Sequence, residues 1–561
     1  MPVSGDMRLR HLTLALIALV GVWLAVLIQR SGEAPTANRS ALAAEHAPAD
    51  FPAPTRPKLV RVKGLSRPVA AAPIVKVTTR AHVATPAPQL STKPRLANEA
   101  RPEPASPQVD LGGAIAIQED TRAPAVTPPV PQEPLEISAA QVVALSATSA
   151  RVSWRTNVPT PTQAAFGLDA PTIWTQATSE SLIEHEAVLT GLEFSTTYTV
   201  YVHAVDEWNR AETKTLTLTT GPMGTRTNAR TIGDRVLLDE RPFFPVAVWG
   251  QCADGFGSNL ADGINLFMGA GCGDEPMLAD RLEGRAYAVV DSENTEIDGR
   301  GVIGWYFPDE WDAFLDSNVK RADLEEYIPT ERPGRISFMT LTNHFYSRAE
   351  PLPQGKGMYP VLMSIPDVIG FDLYPLQVWC RPAFGDVMDA QRELHTASGG
   401  KPTFQWIEVA KMEHPCRDHS ALDPTPATVR AETWLSIAGG ADAVGYFPNR
   451  WSSDIGQEIT RTNRDIKALT QALLTPVVNA SSDATAVRVS ARTLNGALYV
   501  IAVNTAEATV QARITVDGIG LAGRSATVLG TGNAVGSDDT GFSDTFGPLA
   551  ARVYVVPPQG W

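Results

Sequence analysis

Cysteine is scarce in this chain: there are four in 561 residues. They fall in two local pairs, Cys252 with Cys272 and Cys380 with Cys416. One acidic and histidine-bearing stretch, Glu413-His414-Pro415-Cys416-Arg417-Asp418-His419, has the residue types of a metal site but not the spacing of a zinc motif. No metal and no other cofactor is expected. Basic residues are also scarce beyond the first hundred positions. Residues 1–105 hold 14 Lys and Arg against 6 Asp and Glu, a balance of +8, so a total of −14 leaves −22 for the remainder. A surface so acidic repels phosphates, which excludes nucleic acid as a partner. From 30 to 133 any sustained apolar period is missing. That Pro- and Ala-rich stretch buries too little surface to offset chain entropy and is expected to be a disordered, semi-stiff linker.

What is present begins at Leu12–Ile28, an uncharged apolar run preceded by Arg8 and Arg10. Its length suits a short membrane span, and Gln29-Arg30 follows where a signal peptidase would need small residues. Residues 1–29 are therefore read as a signal anchor, with a cleaved signal peptide as the alternative. Either sends the rest of the chain out of the cytoplasm, tethered to the membrane or secreted. In that compartment the two cysteine pairs are expected to be disulfides.

Three grammars follow the linker. Residues 134–222 alternate polar and apolar, as in Ala150–Arg155 and Thr197–Ala204, and predict a β-sandwich. Trp154 on the second strand, and Leu192 leading into Tyr198 ahead of Val200, Val202 and Ala204, resemble a fibronectin type III module. Residues 223–476 contain eight apolar runs: Phe243–Trp249, Ile264–Met268, Ala286–Val290, Val302–Phe307, Ile336–Leu341, Val368–Leu373, Thr403–Ile407 and Ala443–Phe447. Amphipathic stretches such as Val387–Ala397 and Thr428–Ala438 separate the later ones. Eight strands alternating with helices predict a (β/α)8 TIM barrel, with an irregular first half because so few residues join the third and fourth runs. Residues 477–561 return to strands, with a hairpin around Leu494-Asn495-Gly496, and predict a C-terminal β-sandwich. The fold class is multidomain: a barrel between two sandwiches.

In a barrel of parallel strands, acids just past a strand's C-terminal end tend to do chemistry. The fourth run leads into Gly304-Trp305-Tyr306-Phe307-Pro308-Asp309-Glu310-Trp311-Asp312, and the seventh ends at Glu408. Two carboxylates facing one another across a barrel mouth could protonate and attack a glycosidic bond. Asp291, His344, Asp372, Tyr374 and Asn449 stand at other strand ends, and Trp249, Trp311 and Trp451 offer indole faces for stacking on sugars.

These positions resemble the large clan of retaining (β/α)8 glycoside hydrolases with catalytic glutamates on strands four and seven. The segment Gly541-Phe542-Ser543-Asp544-Thr545-Phe546-Gly547-Pro548, before a Val-Tyr strand, resembles the β-domain that follows such barrels. The resemblance implies Glu310 as acid/base, Glu408 as nucleophile and Tyr374 as the hydroxyl that bonds the nucleophile. It implies a poly- or oligosaccharide substrate contacted by Asp309, Trp249, Trp311, His344 and Trp451. The chain departs from the clan at Asp309, where an asparagine is usual, and lacks its arginine near Phe267–Gly271. Two other readings stay open: a non-catalytic surface protein whose degenerate barrel binds glycan or protein, and a metal-dependent hydrolase using Asp291, His344 or the His414–His419 loop.

Overall fold

The computed structural model describes residues 133–412 and 422–561. The apolar N-terminal run, the Pro-rich linker, Cys416 and the His414–His419 motif lie outside the described residues. Among those described, no helix is long and apolar enough to cross a membrane.

The first strands form two antiparallel sheets. Ile137–Ser146, Ser149–Pro161 and Ser181–Leu189 make one; Ile173–Trp174, Gln163–Gly167, Thr197–Val205 and Ala211–Thr219 make the other. Thr197–Val205 alternates buried and open positions along its length, as its sequence requires when one face packs on a core. Trp154, 2% exposed, lies in that core and stacks on the His185 ring at 4.9 Å.

A three-stranded meander missed by the sequence reading comes next: Ala229–Ile232, Arg235–Leu238 and Arg241–Phe243. Its Val236, Leu238 and Phe243 share a core with the interior side chains of the barrel. Phe243 was assigned to the first barrel strand; Pro245, which has no N–H to give a ladder, separates the two.

The barrel is closed by eight parallel strands: β1 (Val246–Gln251), β2 (Leu266–Ala270), β3 (Tyr287–Asp291), β4 (Val302–Tyr306), β5 (Ile336–Thr342), β6 (Val368–Asp372), β7 (Thr403–Glu408) and β8 (Ala443–Phe447). β8 pairs with β1, with Val246 opposite Val444. The strands read as unbroken apolar runs because both faces are covered. Inward, Ile303, Phe338, Phe404 and Trp406 fill the interior; outward, residues such as Leu341 and Ile407 meet the surrounding shell.

That shell is uneven. The links after β1 to β5 hold only short helices, such as Phe256–Ala261 and Leu278–Leu282, and 3-10 turns. Full helices appear only in the second half: α1 (Phe384–Ala397) after β6, α2 (Pro426–Ala438) after β7 and α3 (Ser453–Leu473) after β8. α2 starts where Pro426 presets the first turn and the Thr425 hydroxyl accepts from Thr428 N.

Beyond α3, one sheet runs in the order Val477–Val478, Val487–Leu494, Ala497–Asn504, Ala551–Val556, Ser525–Val528, Ala534–Gly536. A second holds Ala480–Ser482, Val510–Val516 and Gly541–Phe546. The hairpin turns at Asn495 and Gly496, both at positive φ, with Leu494 opposite Ala497.

Close approach dictates two barrel glycines. A Cβ on Gly445 would stand 2.3 Å from the Trp406 ring, and one on Gly304 would stand 1.6 Å from the Ile336 carbonyl oxygen. At Gly304 the obstacle is backbone of the neighbouring strand, which cannot swing aside. Gly304→Ala is expected to lower stability by more than about 3 kcal/mol, against about 1–2 kcal/mol for Gly399→Ala, whose surroundings are open and whose only cost is its left-handed φ of +70°. Urea unfolding followed by tryptophan fluorescence measures both.

Candidate active site

The C-terminal rim between β3 and β6 gathers carboxyls. β4 ends at Tyr306, and after Pro308 the chain turns a sharp corner at Asp309 and Glu310. Glu310 sits in the left-handed region, φ 49° and ψ 42°, a conformation that costs a non-glycine residue on the order of 1 kcal/mol and tends to mark working positions. Asp312 holds the corner. It is fully buried and accepts from Thr342 N at 2.9 Å, from the Thr342 hydroxyl and from the Tyr359 hydroxyl at 2.8 Å.

Across the mouth, the Glu310 and Asp372 carboxyls are near enough to shift one another's ionisation. Tyr374 donates its hydroxyl to Asp372 Oδ1 at 3.1 Å. Two neighbouring carboxyls resist ionising together, which favours a proton on one of them. Burial, then the charges of Asp309 and Glu310, pushes Asp372 well above the usual carboxylate range. Glu310 is raised by burial and Asp312, with its neighbours Asp372 and His344 opposing the shift. Asp309 is pushed up to about 7 by desolvation, Glu310 and Asp312. As a residue Asp309 is exposed, so solvent screening limits the stability this shift represents. The three acids titrate as one coupled group.

A second acidic pair adjoins. Glu275 accepts from Asp291 N at 2.5 Å and is raised by burial, and the Tyr306 hydroxyl is raised by its own burial and then by the charges of Glu275 and Asp291. Aromatic rings surround these acids. Trp249 meets Tyr306 edge-on at 4.7 Å and Trp406 at 5.9 Å, and Tyr374 stacks on Phe447 at 6.0 Å. Trp249, Tyr306 and Phe447 keep part of their surface open, so the mouth offers indole, phenol and phenyl faces beside proton-bearing carboxyls.

Of the residues singled out from sequence, Asp309, Glu310, His344, Tyr374 and Trp249 belong to this mouth. Three do not. Trp311 is 9% exposed and stacked on Phe307, packing outside the barrel interior. Trp451 donates its indole N–H to Asp262 Oδ2 at 3.1 Å and packs edge-on against Tyr446. Glu408 is fully buried, with Oε1 accepting from Leu376 N and Oε2 from Gln377 N, each at 2.8 Å. Beside it lies Glu432 of α2, also buried and felt by Glu408 as a neighbouring carboxyl, with neither of its own oxygens hydrogen-bonded among the described residues. A carboxylate with both oxygens engaged and no exposed surface cannot attack an anomeric carbon. Glu408 instead ties down the loop after Tyr374, and its expected pairing with Glu310 is replaced by the pairing of Glu310 with Asp372.

Asp372 carries a larger role than its place as one strand-end acid among several suggested. Asp291 was noted as a strand end but not as part of this rim. Glu275 and Glu432 were missed, since both lie on helical segments away from any strand end. Cys252 and Cys272 form the expected disulfide after β1 and β2, Cα–Cα 5.4 Å. Cys380 is not free, while Cys416 lies outside the described residues.

No protein-family model and no curated protein matches the chain. Solved structures do. A Bacteroides fragilis protein provisionally described as an α-galactosidase/melibiase matches at 12% identity over 74% of this chain and 98% of its own, TM-score 0.41. The GH30 endoxylanase of Clostridium papyrosolvens matches at 12% identity over 59% and 97%, TM-score 0.37. α-Galactosidase I of Mortierella vinacea matches at 9% over 56% and 98%, TM-score 0.38. At such identities and scores the likeness transfers no activity and no residue role.

The Glu408–Glu432 pair has a pH signature. Burial pushes Glu408 up to about 7 and Glu432 well above the usual range, so the folded state holds protons that the unfolded state has released. That stabilisation is complete below about pH 4 and is lost as pH rises through about 7. Glu432→Gln removes one titrating partner, and its stability is expected to fall less than the wild type's between pH 5 and 8, by on the order of 1–3 kcal/mol. Denaturant melts at several pH values measure the difference.

Proposed function

We propose that the barrel mouth is the active centre of a glycoside hydrolase acting on a poly- or oligosaccharide. The observation that carries this reading is the neighbouring Glu310 and Asp372 carboxyls, both raised by burial and set among Trp249, Tyr306 and Phe447 at the strand ends of a closed barrel. Glycosidic cleavage needs one protonated carboxyl as acid and one ionised as base or nucleophile. A cluster raised toward neutrality supplies both forms at once. With a sugar in the mouth, the carboxyl that keeps the proton gives it to the leaving oxygen. Burial and neighbouring charge raise Asp372 well above the usual range, which favours it as the partner that keeps the proton, with the Tyr374 hydroxyl opposing that shift.

The retaining, double-displacement route expected from the sequence requires the two carboxyls to settle about 5–5.5 Å apart with substrate bound, whereas inversion requires about 6.5–9.5 Å. The wider modular reading is part of the proposal: a fibronectin type III module at 134–222, the catalytic barrel at 223–476 and a β-sandwich at 477–561. So is an extracytoplasmic location, by membrane anchor or secretion, which the Cys252–Cys272 disulfide favours. A second reading, a glycan-binding protein without activity, draws on the closeness of Glu310 and Asp372, which narrows the space for a glycosidic oxygen between them.

A panel of plant, bacterial and animal glycans, assayed by new reducing ends, separates the two. Glu310→Gln and Asp372→Asn are each expected to lower turnover at least about 100-fold with melting temperature preserved. Glu408→Gln is expected to act chiefly through a lower melting temperature. NMR of the first-formed anomer fixes the stereochemistry. Absence of cleavage on every glycan, with binding that weakens on Trp249→Ala, sinks the hydrolase and leaves the binding protein.

A further inference from the structure

Away from the mouth, a cavity of about 380 Å³ opens where the C-terminal ends of α1 and α2 meet the strand Val487–Leu494 and the segment after α3. Arg392, His395, Asp234, Asp442 and Arg492 line it. Arg492 is 3% exposed. Its guanidinium gives one hydrogen bond to the Ile437 carbonyl at 2.9 Å and another to the Ser490 hydroxyl at 3.3 Å. Among the described residues Nε has no hydrogen-bond partner, and neither has Nδ1 of His395.

A buried guanidinium normally faces a carboxylate, because an uncompensated buried charge costs several kcal/mol. Two acids lie near enough to be felt, Asp442 and Asp234, yet Arg492 makes no ion pair with either. Asp442, 7% exposed, turns its Oδ2 to Thr403 N at 3.0 Å. Burial raises its carboxyl well above the usual range, opposed by the Thr403 N–H and by Arg492. Asp234 is only half-buried. Desolvation pulls Arg492 itself down to about 10, which still leaves it cationic at neutral pH. The cavity therefore presents one fixed buried cation, an exposed second one in Arg392 and an unpartnered imidazole nitrogen.

We infer that this cavity binds a small oxyanion, the phosphate or carboxylate group of a soluble molecule, with Arg492 Nε and the His395 ring as donors and Arg392 at the entrance. An oxyanion supplies a direct counter-charge and accepts the unused Nε–H in a charge-assisted bond, with the His395 ring as a second donor in the Nδ1–H tautomer. Nothing in this depends on the chemistry at the barrel mouth.

The test is calorimetric and thermal titration of the whole protein with sodium phosphate and, separately, sodium acetate, each against chloride at equal ionic strength. Phosphate or acetate is expected to raise the melting temperature and to saturate, unlike the unsaturable stabilisation produced by excluded anions. The stronger of the two names the class. Arg492→Met is expected to bind at least about tenfold more weakly, the loss of one charge-assisted contact. In chloride alone it is expected to melt no lower than wild type, since an unpaired buried charge has been removed. Should Arg492→Met fail to fold, Arg392→Gln at the open edge is expected to weaken binding about threefold. Absence of saturable binding of either anion, or equal affinity in the variants, overturns the inference.

Discussion

The corner after β4 depends on a single buried carboxylate. Asp312 has no exposed surface, yet it receives donors from Thr342, twice, and from Tyr359. Those bonds run from the β4 turn to the end of β5 and to the helix Tyr359–Leu362. A buried anion so fully satisfied is strongly position-specific, because any shift of the turn strands it without partners. This lets Glu310 be held at φ 49° beside Asp309. Without the anchor, the strained corner would relax and the two acids would swing out to solvent. The acid cluster at the mouth is thus a consequence of an acid that is not in it.

Two carboxyl pairs in the barrel share one physics and differ in access. Glu310 with Asp372, and Glu408 with Glu432, are each raised by desolvation, and each sets one carboxyl beside another. At Glu408 the oxygens are taken by Leu376 and Gln377 N–H, and no solvent reaches the pair. It acts as a clamp on the loop that follows Tyr374. At Glu310 the residue is half-open and its neighbours are rings with free faces. A raised pKa alone would not tell these sites apart; the lining does.

The barrel was legible in the sequence because a strand covered on both faces must be apolar throughout, and eight such runs announce themselves. Sequence also placed Asp309, Glu310, Asp372 and Glu408 at strand ends. What it could not convey was the direction in which an end residue turns. Once a strand leaves the barrel the period-two rule lapses, and the next side chain goes where the loop takes it. Glu408 turned toward Glu432 because α2 packs a buried glutamate behind β7, and nothing in Pro426–Ala438 marked Glu432 as its neighbour. Trp311 and Trp451 mislead for a related reason: an indole near a rim stacks on sugar or on its own shell, and here Phe307 and Tyr446 were closer at hand. The meander Ala229–Phe243 was missed because strands of three or four residues are too short to show alternation.

The unevenness of the shell explains why the acids gather on one side. Helices α1 and α2, which flank β7, fill the outer surface there with long packed faces and leave Glu408 buried beside Glu432 at the strand end. Between β3 and β6 the links are 3-10 turns and short helices. Such turns expose more backbone N–H per residue than a long helix does and bring different strand ends close together. Asp291 can therefore meet Tyr306 and Glu275, and Glu310 can reach Asp372, across gaps that regular crossover helices would have set farther apart. The irregular half of the barrel, which weakens its likeness to a regular alternation of strand and helix, is the half that concentrates the titratable groups.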